Sequence, residues 1–192
     1  MREGRPSRLI IGISGASGIV YGIRLLQILR NTPFETHLVI SRAAEIALAH
    51  ETGRKVADVK AMADVHYAAS DIGAAISSGS YRTEGMIIAP CSIRSMSEIA
   101  TGVTSTLLTR AADVVLKERR RLVLMVRETP LHTGHLRSML ALSEMGAIIA
   151  PPVPAFYAQP HSVDDMVDQT VGRVLDLFGI ETGLVRRWRE ED

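Results

Sequence analysis

The sequence predicts a doubly wound α/β fold, in which helices cover both faces of a parallel β-sheet. Short apolar runs alternate with segments of helical periodicity along nearly the whole chain. A turn rich in glycine and serine follows the first apolar run, and later runs end abruptly in polar residues. The hydrophobic share is 46% but the aromatic share is only 4%, as expected for a buried sheet of aliphatic strands.

Strands and helices are predicted in alternation. Each strand is a short apolar run bounded by glycine, proline or charge, and each helix has apolar residues at three- and four-residue spacing. The predicted strands are 9–13, 36–40, 85–89, 122–126 and 147–150. The predicted helices are 19–29, 43–50, a stretch after residue 91 that breaks near Gly102, 107–118, 134–145 and 163–178. Residues 52–84 have few periodic signals, and Ser77–Ser80 predicts a flexible loop.

Neither an internal repeat nor a low-complexity linker interrupts this alternation. We therefore expect a single Rossmann-like or flavodoxin-like domain over residues 1–192, with a core at 8–178 and a C-terminal extension at 179–192. The high apolar share also fits a surface that is buried between subunits.

Charge and composition exclude several kinds of binding partner and of site. The formal net charge of +1 gives no global field that would recruit nucleic acid or an acidic membrane. One cysteine rules out an intramolecular disulfide and a Cys-x-x-Cys metal site. No apolar stretch approaches the roughly 18 residues of a membrane span, and no apolar signal segment follows the N-terminus, so we expect a cytoplasmic protein.

The first predicted strand leads into a glycine-rich turn, Gly12–Gly18. Glycines let a backbone turn tightly and approach a ligand, and the helix start offers free N–H groups to an anion. Ser14 and Ser17 add hydroxyl donors, so the turn predicts a phosphate site, although glycines needed only for packing would leave the same pattern. The spacing is not G-x-G-x-x-G, Walker A is absent, and Ser41-Arg42 replaces the acidic residue that holds a ribose. A monophosphate nucleotide such as FMN therefore fits better than a dinucleotide.

Polar residues also follow the later strands, where ligands of doubly wound sheets collect. Ser92 and Ser95 either donate hydrogen bonds to a bound ring or simply cap the next helix, and the sequence leaves both roles open. Arg127 and Glu128 place a cation and a carboxylate at the end of the next strand. Cys91 has no base near it in sequence, so a small strand-end residue is a better interpretation than a nucleophile.

Positive charges gather on the helix that precedes the fourth predicted strand. Arg110 and Lys117 are seven residues apart, hence on one helix face, and are candidates for joint phosphate ligands. The run Arg119–Arg121 is equally typical of a solvated helix end. His132 and His135 are closely spaced, but the sequence offers no further ligands beside them, and we expect no metal site.

A series of short motifs occurs in a characteristic order between about residues 8 and 188. The motifs are Gly15-Ala16-Ser17-Gly18, Ser41, Glu51-Thr52, Pro90-Cys91-Ser92, Arg110-Ala111-Ala112-Asp113-Val114, Lys117-Glu118-Arg119-Arg120, Arg127-Glu128 and Pro154-Ala155-Phe156-Tyr157. Together they resemble the motifs of UbiX-type flavin prenyltransferases. The resemblance covers nearly the whole chain, and the combination is far more specific than any single motif.

The resemblance implies an enzymatic reaction. The enzyme would join the dimethylallyl group of dimethylallyl monophosphate to N5 and C6 of reduced FMN, without a metal. The product, prenylated FMN, would serve UbiD-type decarboxylases, and the enzyme would be a homo-oligomer, typically a dodecamer. The sequence identifies neither the pathway nor the recipient decarboxylase, and it does not decide between a monophosphate and a diphosphate donor.

The resemblance also implies roles for individual residues. It implies FMN contacts from Gly15, Ala16, Ser17, Ser41, Ser92, Ile93, Arg94, Ser95 and Arg127. It implies contacts with the dimethylallyl phosphate from Arg110, Lys117, Tyr157, Arg173 and Trp188. It implies catalytic roles for Ser17, Glu51, Lys117 and Glu128. Tyr157 and Arg173 would belong to a site that a neighbouring subunit completes, and the tail 179–192 would close over that site.

Two other functions compete with this one. A flavin-dependent cysteine-type decarboxylase would share the fold, but its Pro-x-Met-Asn-x-x-Met-Trp segment is missing from the sequence. A non-catalytic carrier that delivers FMN to a decarboxylase would need no second phosphate site, whereas Lys117, Glu128, Tyr157 and Arg173 are all present.

Overall fold

The computed structural model of the chain describes residues 6–189. Within this part the strands are β1 (Ser7–Ile13), β2 (Phe34–Ile40), β3 (Val65–Tyr67), β4 (Gly85–Cys91), β5 (Arg121–Val126) and β6 (Ile148–Ile149). The α-helices are α1 (Ile19–Leu29), α2 (Arg42–Thr52), α3 (Val56–Lys60), α4 (Ile93–Ala100), α5 (Leu107–Lys117), α6 (Thr133–Glu144) and α7 (Val163–Asp176).

The six described strands form one parallel sheet in the order β3-β2-β1-β4-β5-β6. The predicted doubly wound parallel sheet is therefore confirmed. The chain winds outward from β1 in one direction and from β4 in the other, so the strand order reverses between these two strands. Ligands of open α/β sheets bind in the crevice at the carboxyl side of such a switch point.

The core lies on both faces of the sheet. Alternate residues of a strand point to opposite faces, and Ile10 packs with α4, α5 and α6. Leu9 and Ile11 point the other way, towards the face where α1 packs against β1 and β4. Because β1 and β4 are covered on both faces, they appear in the sequence as continuous apolar runs rather than as an alternating pattern.

Residues 52–84 hold more structure than the sequence predicts. They contain α3, β3 and a 3-10 turn at Ala75–Ser77. The edge strand β3 has three residues, which is too short for a period of two to stand out. The predicted flexible loop around Ser77–Ser80 follows the 3-10 turn, and Arg120 holds it by hydrogen bonds to the carbonyls of Gly79 and Tyr81.

The chain divides into two compact units, Met1–Pro151 and Pro152–Asp192. The first holds the sheet and α1 to α6, and the second holds α7 and a 3-10 turn at Phe156–Ala158. The single domain over 1–192, with a core at 8–178, stays a prediction, as does closure of the tail 179–192 over the site. Residues 190–192 of that tail lie outside the described part.

In the second unit the chain after α7 packs back along that helix. A Cβ at Gly172 would lie 2.6 Å from the Val185 side chain, so the absence of a side chain there permits the close approach. Gln169 binds both backbone polar groups of Arg186. Between residues 6 and 189, no helix is long and apolar enough to cross a membrane.

Candidate active site

Ser14 ties the turn after β1 to the carboxyl end of β4. Its side chain is fully buried, and its hydroxyl donates to the carbonyl of Pro90 at 2.9 Å. The same oxygen accepts the N–H of Ser92 at 2.7 Å. Ser14 therefore has no free hydroxyl donor for a ligand and is instead a brace across the switch point. The sequence suggested a ligand donor here, because a motif does not show which serine points inward.

The first turn presents free donors at the same point. Gly15 packs so closely on α2 that a Cβ would lie 2.3 Å from the Ala43 Cβ, and Gly18 has a φ of +98°, so a side chain is disfavoured at both positions. Within residues 6–189 the N–H groups of Gly15 and Ser17, and the Ser17 hydroxyl, have no hydrogen-bond partner. The Ala16 N–H donates to Ser14. The turn therefore keeps two backbone donors and one hydroxyl for a ligand.

The start of α1 already has an anion. Oε2 of Glu51 accepts hydrogen bonds from the N–H groups of Gly18 at 2.9 Å and Ile19 at 3.0 Å. A carboxylate at this end of a helix is favoured by the helix dipole. A ligand phosphate would therefore use donors of the turn itself rather than the first N–H groups of α1, which the sequence analysis also offered to the anion.

Ser41 and Ser92 both cap helices and keep a donor. Ser41 caps α2 by accepting the N–H of Ala44, and because a hydroxyl has one proton to give, its O–H remains available. Ser92 caps α4 by accepting the N–H of Ser95, while its hydroxyl donates to the Ser95 Oγ. The O–H of Ser95 is then the donor left over in this pair. The two roles that the sequence left open are therefore compatible.

Arg127 and Glu128 follow β5 and are exposed at the same carboxyl edge. Within the described residues the Arg127 guanidinium has no carboxylate partner, although it lies near the Tyr21 hydroxyl. In the described part of the chain the Glu128 carboxylate accepts only the N–H of Thr129, at 3.0 Å. Arg94 is less available, since it pairs with Glu98 on its own helix and points into solvent, and Ile93 packs partly on the core.

Cys91 lies in the same region but does not reach solvent. Its side chain is fully buried, and burial raises the pKa of its thiol to about 12. The thiol therefore stays protonated near neutral pH and is not a nucleophile. The interpretation of Cys91 as a small strand-end residue agrees with this environment.

Lys117 lies at the opposite edge of the sheet. It is the last residue of α5 and comes just before the amino end of β5, whereas Arg127 follows the carboxyl end. A strand of this length spans about 20 Å, and a lysine side chain covers only a fraction of that distance. The Lys117 ammonium instead pairs with Glu118 and lines an open cavity of about 480 Å³ with Gly102 and Met145. One copy of the chain therefore does not bring Lys117 to the donors of the first turn.

Arg110 and Lys117 lie on the same helix, α5, but their side chains bind different carboxylates. Arg110 lies two turns before Lys117 and pairs with Asp113 at 2.7 Å. Each cation thus has its own carboxylate. A joint phosphate site of these two residues stays a prediction, and it requires both ion pairs to open.

The second unit brings together two of the three predicted residues that it holds. The rings of Tyr157 and Trp188 meet edge to face, with centroids 5.5 Å apart. The Tyr157 hydroxyl lies 3.4 Å from the Gln169 amide nitrogen. Arg173 pairs with Asp176, which also takes two hydrogen bonds from Arg187. Arg173 is therefore part of α7, and the aromatic pair contacts α7 through Tyr157 and Gln169.

The similarity of this chain to known proteins shows which family it belongs to. The flavoprotein family matches residues 1–175. The flavin prenyltransferase UbiX of Escherichia coli K12 is 60% identical over 185 residues, which is 95% of this chain and 98% of the relative. The chain belongs to the UbiX flavin prenyltransferase family. The suspected resemblance is therefore confirmed.

Solved structures of the UbiX family have the same fold. The crystal structure of AnUbiX (PadA1) in complex with FMN and dimethylallyl pyrophosphate has a TM-score of 0.96 and 47% identity, covering 98% of this chain and all of that one. A dodecameric FMN-dependent UbiX-like decarboxylase from Escherichia coli O157:H7 has a TM-score of 0.93 and 51% identity, covering 95% and 100%.

Sequence reasoning missed two contacts of this UbiX-family site. The first is the brace that Ser14 forms between β1 and β4, and the second is the bond from Glu51 to the start of α1. The sequence shows only a serine directly after a predicted strand, which does not reveal the first contact. Nothing local signals the second, because Glu51 and Gly18 are 33 residues apart.

Proposed function

We propose that this chain is a flavin prenyltransferase that transfers the dimethylallyl group of dimethylallyl monophosphate to N5 and then C6 of reduced FMN. One observation carries the proposal: free donors of the first turn, a cation and a carboxylate share the carboxyl edge at the switch point of the sheet. This arrangement fits an anionic ligand with a polar ring. The identity with UbiX enzymes over nearly the whole chain supports the reaction class.

The proposed flavin site uses hydrogen-bond donors that have no acceptor among the described residues. The N–H groups of Gly15 and Ser17 and the hydroxyl of Ser41 fit the FMN phosphate, because they are hydrogen-bond donors at the carboxyl edge with no acceptor among residues 6–189. Arg127 fits the flavin from the end of β5. The remaining proposed contacts come from the same turn and from the start of α4: Ala16, Ser92, Ile93, Arg94 and Ser95.

The proposed chemistry breaks the allylic C–O bond, so that phosphate departs and positive charge develops on the dimethylallyl group. Reduced FMN, when bound, supplies the nucleophilic N5 and then C6, and prenylated FMN is the product. Lys117, Arg173 and Tyr157, with Arg110 nearby, would stabilise the leaving phosphate as its negative charge grows. Trp188 would cover the dimethylallyl group.

Two carboxylates are proposed to handle the proton. Among residues 6–189 Glu128 has one hydrogen bond, from the neighbouring N–H of Thr129, and in this proposal it gives a proton to the leaving phosphate. Glu51 uses Oε2 for Gly18 and Ile19, so its Oε1 remains to share that proton. The Ser17 hydroxyl would orient the reacting groups, since within residues 6–189 it has no partner of its own.

The position of Lys117 supports an oligomeric site. Lys117 and the flavin donors are at opposite edges of the sheet, so Lys117 can serve a bound flavin only from a second copy of the chain. A close structural relative is dodecameric, and we propose the same assembly here. We likewise propose that Tyr157 and Arg173 complete the site of a neighbouring copy.

The proposal extends to location and partner. We propose that the enzyme acts in the cytoplasm and that a UbiD-type decarboxylase receives the product. The structure of a relative contains dimethylallyl pyrophosphate, so a diphosphate donor is an alternative that the same assay can test. The reaction uses no metal in this proposal.

Anaerobic incubation of the purified protein with reduced FMN and dimethylallyl monophosphate tests the proposed function. Mass spectrometry of the released flavin should show a product that is heavier by one five-carbon unit. Lys117→Gln and Glu128→Gln should abolish turnover but keep FMN binding. Unmodified FMN released from folded, flavin-loaded wild-type protein would instead favour the carrier, and decarboxylation of a cysteine peptide would favour the decarboxylase.

A further inference from the structure

The segment Ser78–Tyr81 lies against the end of α5 that carries Lys117. A Cβ at Gly79 would fall 2.1 Å from Oε1 of Glu118 and 2.6 Å from the Lys117 ammonium nitrogen. The backbone at Gly79 is therefore a wall beside the Lys117–Glu118 ion pair. Any movement of this wall changes the space in which the ammonium group is held.

Arg120 fixes that wall. Its Nη1 donates to the carbonyl of Tyr81 at 2.8 Å and its Nη2 donates to the carbonyl of Gly79 at 2.7 Å. The side chain is only 16% exposed, and Nη2 lies 3.9 Å from Oε2 of Glu118. A guanidinium holds its donors in a rigid plane, so one side chain can fasten two carbonyls at a fixed distance from each other.

A second anchor holds the same segment from its other side. The Tyr81 ring lies under the Arg8 guanidinium, which is 4.6 Å from the ring centroid. The Tyr81 hydroxyl is 3.5 Å from Nε2 of His37, which is buried in β2. With Tyr81 anchored there, loss of the Arg120 bonds would free mainly the part of the segment around Gly79. That part is the one that borders Lys117.

We propose that Arg120 is a positioning residue for Lys117: it holds the Ser78–Tyr81 segment against the Lys117–Glu118 pair and so orients the ammonium that receives the substrate phosphate. The inference rests on the proposed function, in which Lys117 binds that phosphate. Arg120 does not touch the substrate in this proposal. The run Arg119–Arg121 is therefore not simply a solvated helix end, since its middle member is largely buried and bonded.

Three arginine variants separate positioning from charge. Arg120→Gln removes the guanidinium that donates to both carbonyls. Arg120→Lys keeps the positive charge, but an ammonium cannot bind both carbonyls in one fixed geometry. Arg121→Gln removes a neighbouring charge from an exposed position and serves as the matched control. Gly79→Ala disturbs the Lys117–Glu118 ion pair without changing Arg120. Its methyl group would displace the flexible ends of Lys117 and Glu118.

Calorimetric titration of dimethylallyl monophosphate into FMN-loaded protein is the primary measurement, because it does not depend on turnover. Arg120→Gln should raise the Kd by about tenfold or more, because a displaced binding group loses its alignment with the phosphate. Arg120→Lys should fall between wild type and Arg120→Gln. Gly79→Ala should also raise the Kd, and Arg121→Gln should match wild type. In steady-state assays the same variants should raise KM more than they lower kcat.

FMN affinity and thermal unfolding show whether a variant has merely lost its structure. The inference predicts unchanged FMN affinity in all four variants, since the flavin donors lie at the other edge of the sheet. It is overturned if Arg120→Gln binds dimethylallyl monophosphate as wild type does, or if Arg120→Gln and Arg121→Gln weaken it equally. Wild-type protein that binds dimethylallyl monophosphate without prenylating FMN would contradict the proposed function. The comparison of Kd values among the variants would still decide this inference.

Discussion

Two serines of the first turn, three residues apart, have opposite surroundings. Ser14 is buried and bonds to both Pro90 and Ser92, whereas Ser17 is exposed and its hydroxyl has no hydrogen-bond partner among residues 6–189. Ser14→Ala should lower the free energy of unfolding by about 1–3 kcal/mol, because the Ser92 N–H loses its acceptor in a buried place. Chemical denaturation measures this loss.

Ser17→Ala is the matched control for that variant. It removes a hydroxyl that has no partner within the described residues, so the free energy of unfolding should stay near that of wild type. Its effect should appear in FMN affinity and turnover instead. A stable Ser14→Ala protein alongside an unstable Ser17→Ala protein would contradict the assignment of brace and ligand donor.

A buried histidine gives the fold a dependence on pH. Burial lowers the pKa of His37, in spite of the hydrogen bond to Glu35 that favours the charged form. The imidazole is then neutral near neutral pH: Nε2–H donates to Glu35 at 2.7 Å and Nδ1 accepts from the Tyr67 hydroxyl at 2.9 Å. Tyr81, Arg8 and Asp64 are the other titratable groups around it.

The sign of this dependence follows from the lowered pKa. As the pH falls below the ordinary histidine value of 6.5, the unfolded chain takes up a proton that folded His37 resists, so the free energy of unfolding falls. The loss stops growing once the pH is below the folded pKa. His37→Gln should flatten the decline in Tm between about pH 7 and pH 5, whereas exposed His66→Gln should retain it. Equal slopes in both variants would rule out His37 as the cause.

At the scale of elements, one amide makes two backbone hydrogen bonds between α7 and the chain that follows it. Gln169 is nearly buried, accepts the Arg186 N–H at 2.8 Å and donates to the Arg186 carbonyl at 3.1 Å. Asp176 supplies a second attachment through Arg187. Burial alone would raise the pKa of Asp176, but hydrogen bonds from Arg187 and Arg173 outweigh it and lower that pKa.

Gln169→Met should loosen this part of the tail without unfolding α7. Loss of the two backbone bonds should speed amide hydrogen exchange at Arg186 by about thirtyfold, because each net bond contributes about 1 kcal/mol to local stability. Trp188 emission should shift as its contact with Tyr157 becomes less ordered. Exchange at Arg186 that matches wild type would show that the Gln169 bonds do not hold this part of the tail.

The elements that the sequence predicted correctly are those with strong, uninterrupted patterns. β1, β4 and β5 are covered on both faces, so their apolar runs are continuous, and α5 has a clear apolar stripe that begins after the cap Thr106. α3 and β3 were missed because five and three residues are too few to establish a period. The position of β3 depends on pairing with β2, which is a contact distant in sequence, and α3 packs on α2.

At the scale of the whole molecule, the proposed site needs two copies of the chain. In the proposal, each site combines the carboxyl edge of one copy with Lys117 of another. Co-expression of Lys117→Gln with Glu128→Gln should therefore restore activity that neither variant has alone. With random assembly from equal amounts, about one quarter of the sites should combine an intact edge with an intact Lys117.

The same experiment contains its own control. The double variant Lys117→Gln/Glu128→Gln is co-expressed with wild type. The activity of these assemblies shows how far the mixing of two kinds of copy changes turnover by itself. Mixed single variants with no activity, in assemblies of normal size, would mean that Lys117 and Glu128 do not meet across copies. The proposed shared site would then be wrong.

The candidate site was only partly predictable for the same geometric reason. Residues that follow strands of a parallel sheet must share an edge, so Ser17, Ser41, Ser92 and Arg127 could be grouped once the strands were recognised. Lys117 could not be placed in this way, because a residue that precedes a strand lies at the other edge. Helix spacing marked it with Arg110 as a candidate phosphate ligand, the family resemblance added it to the flavin site, and the geometry then pointed to a second copy.

The buried thiol has a practical consequence. Cys91 is the one cysteine of the chain, and with a pKa of about 12 and no exposed surface it will not react with maleimides in the native protein. The wild-type chain is thus already a clean background for site-specific labelling. A cysteine introduced at Glu181 would carry a fluorophore alone, and its quenching by bound flavin would report in real time whether the tail closes when dimethylallyl monophosphate binds.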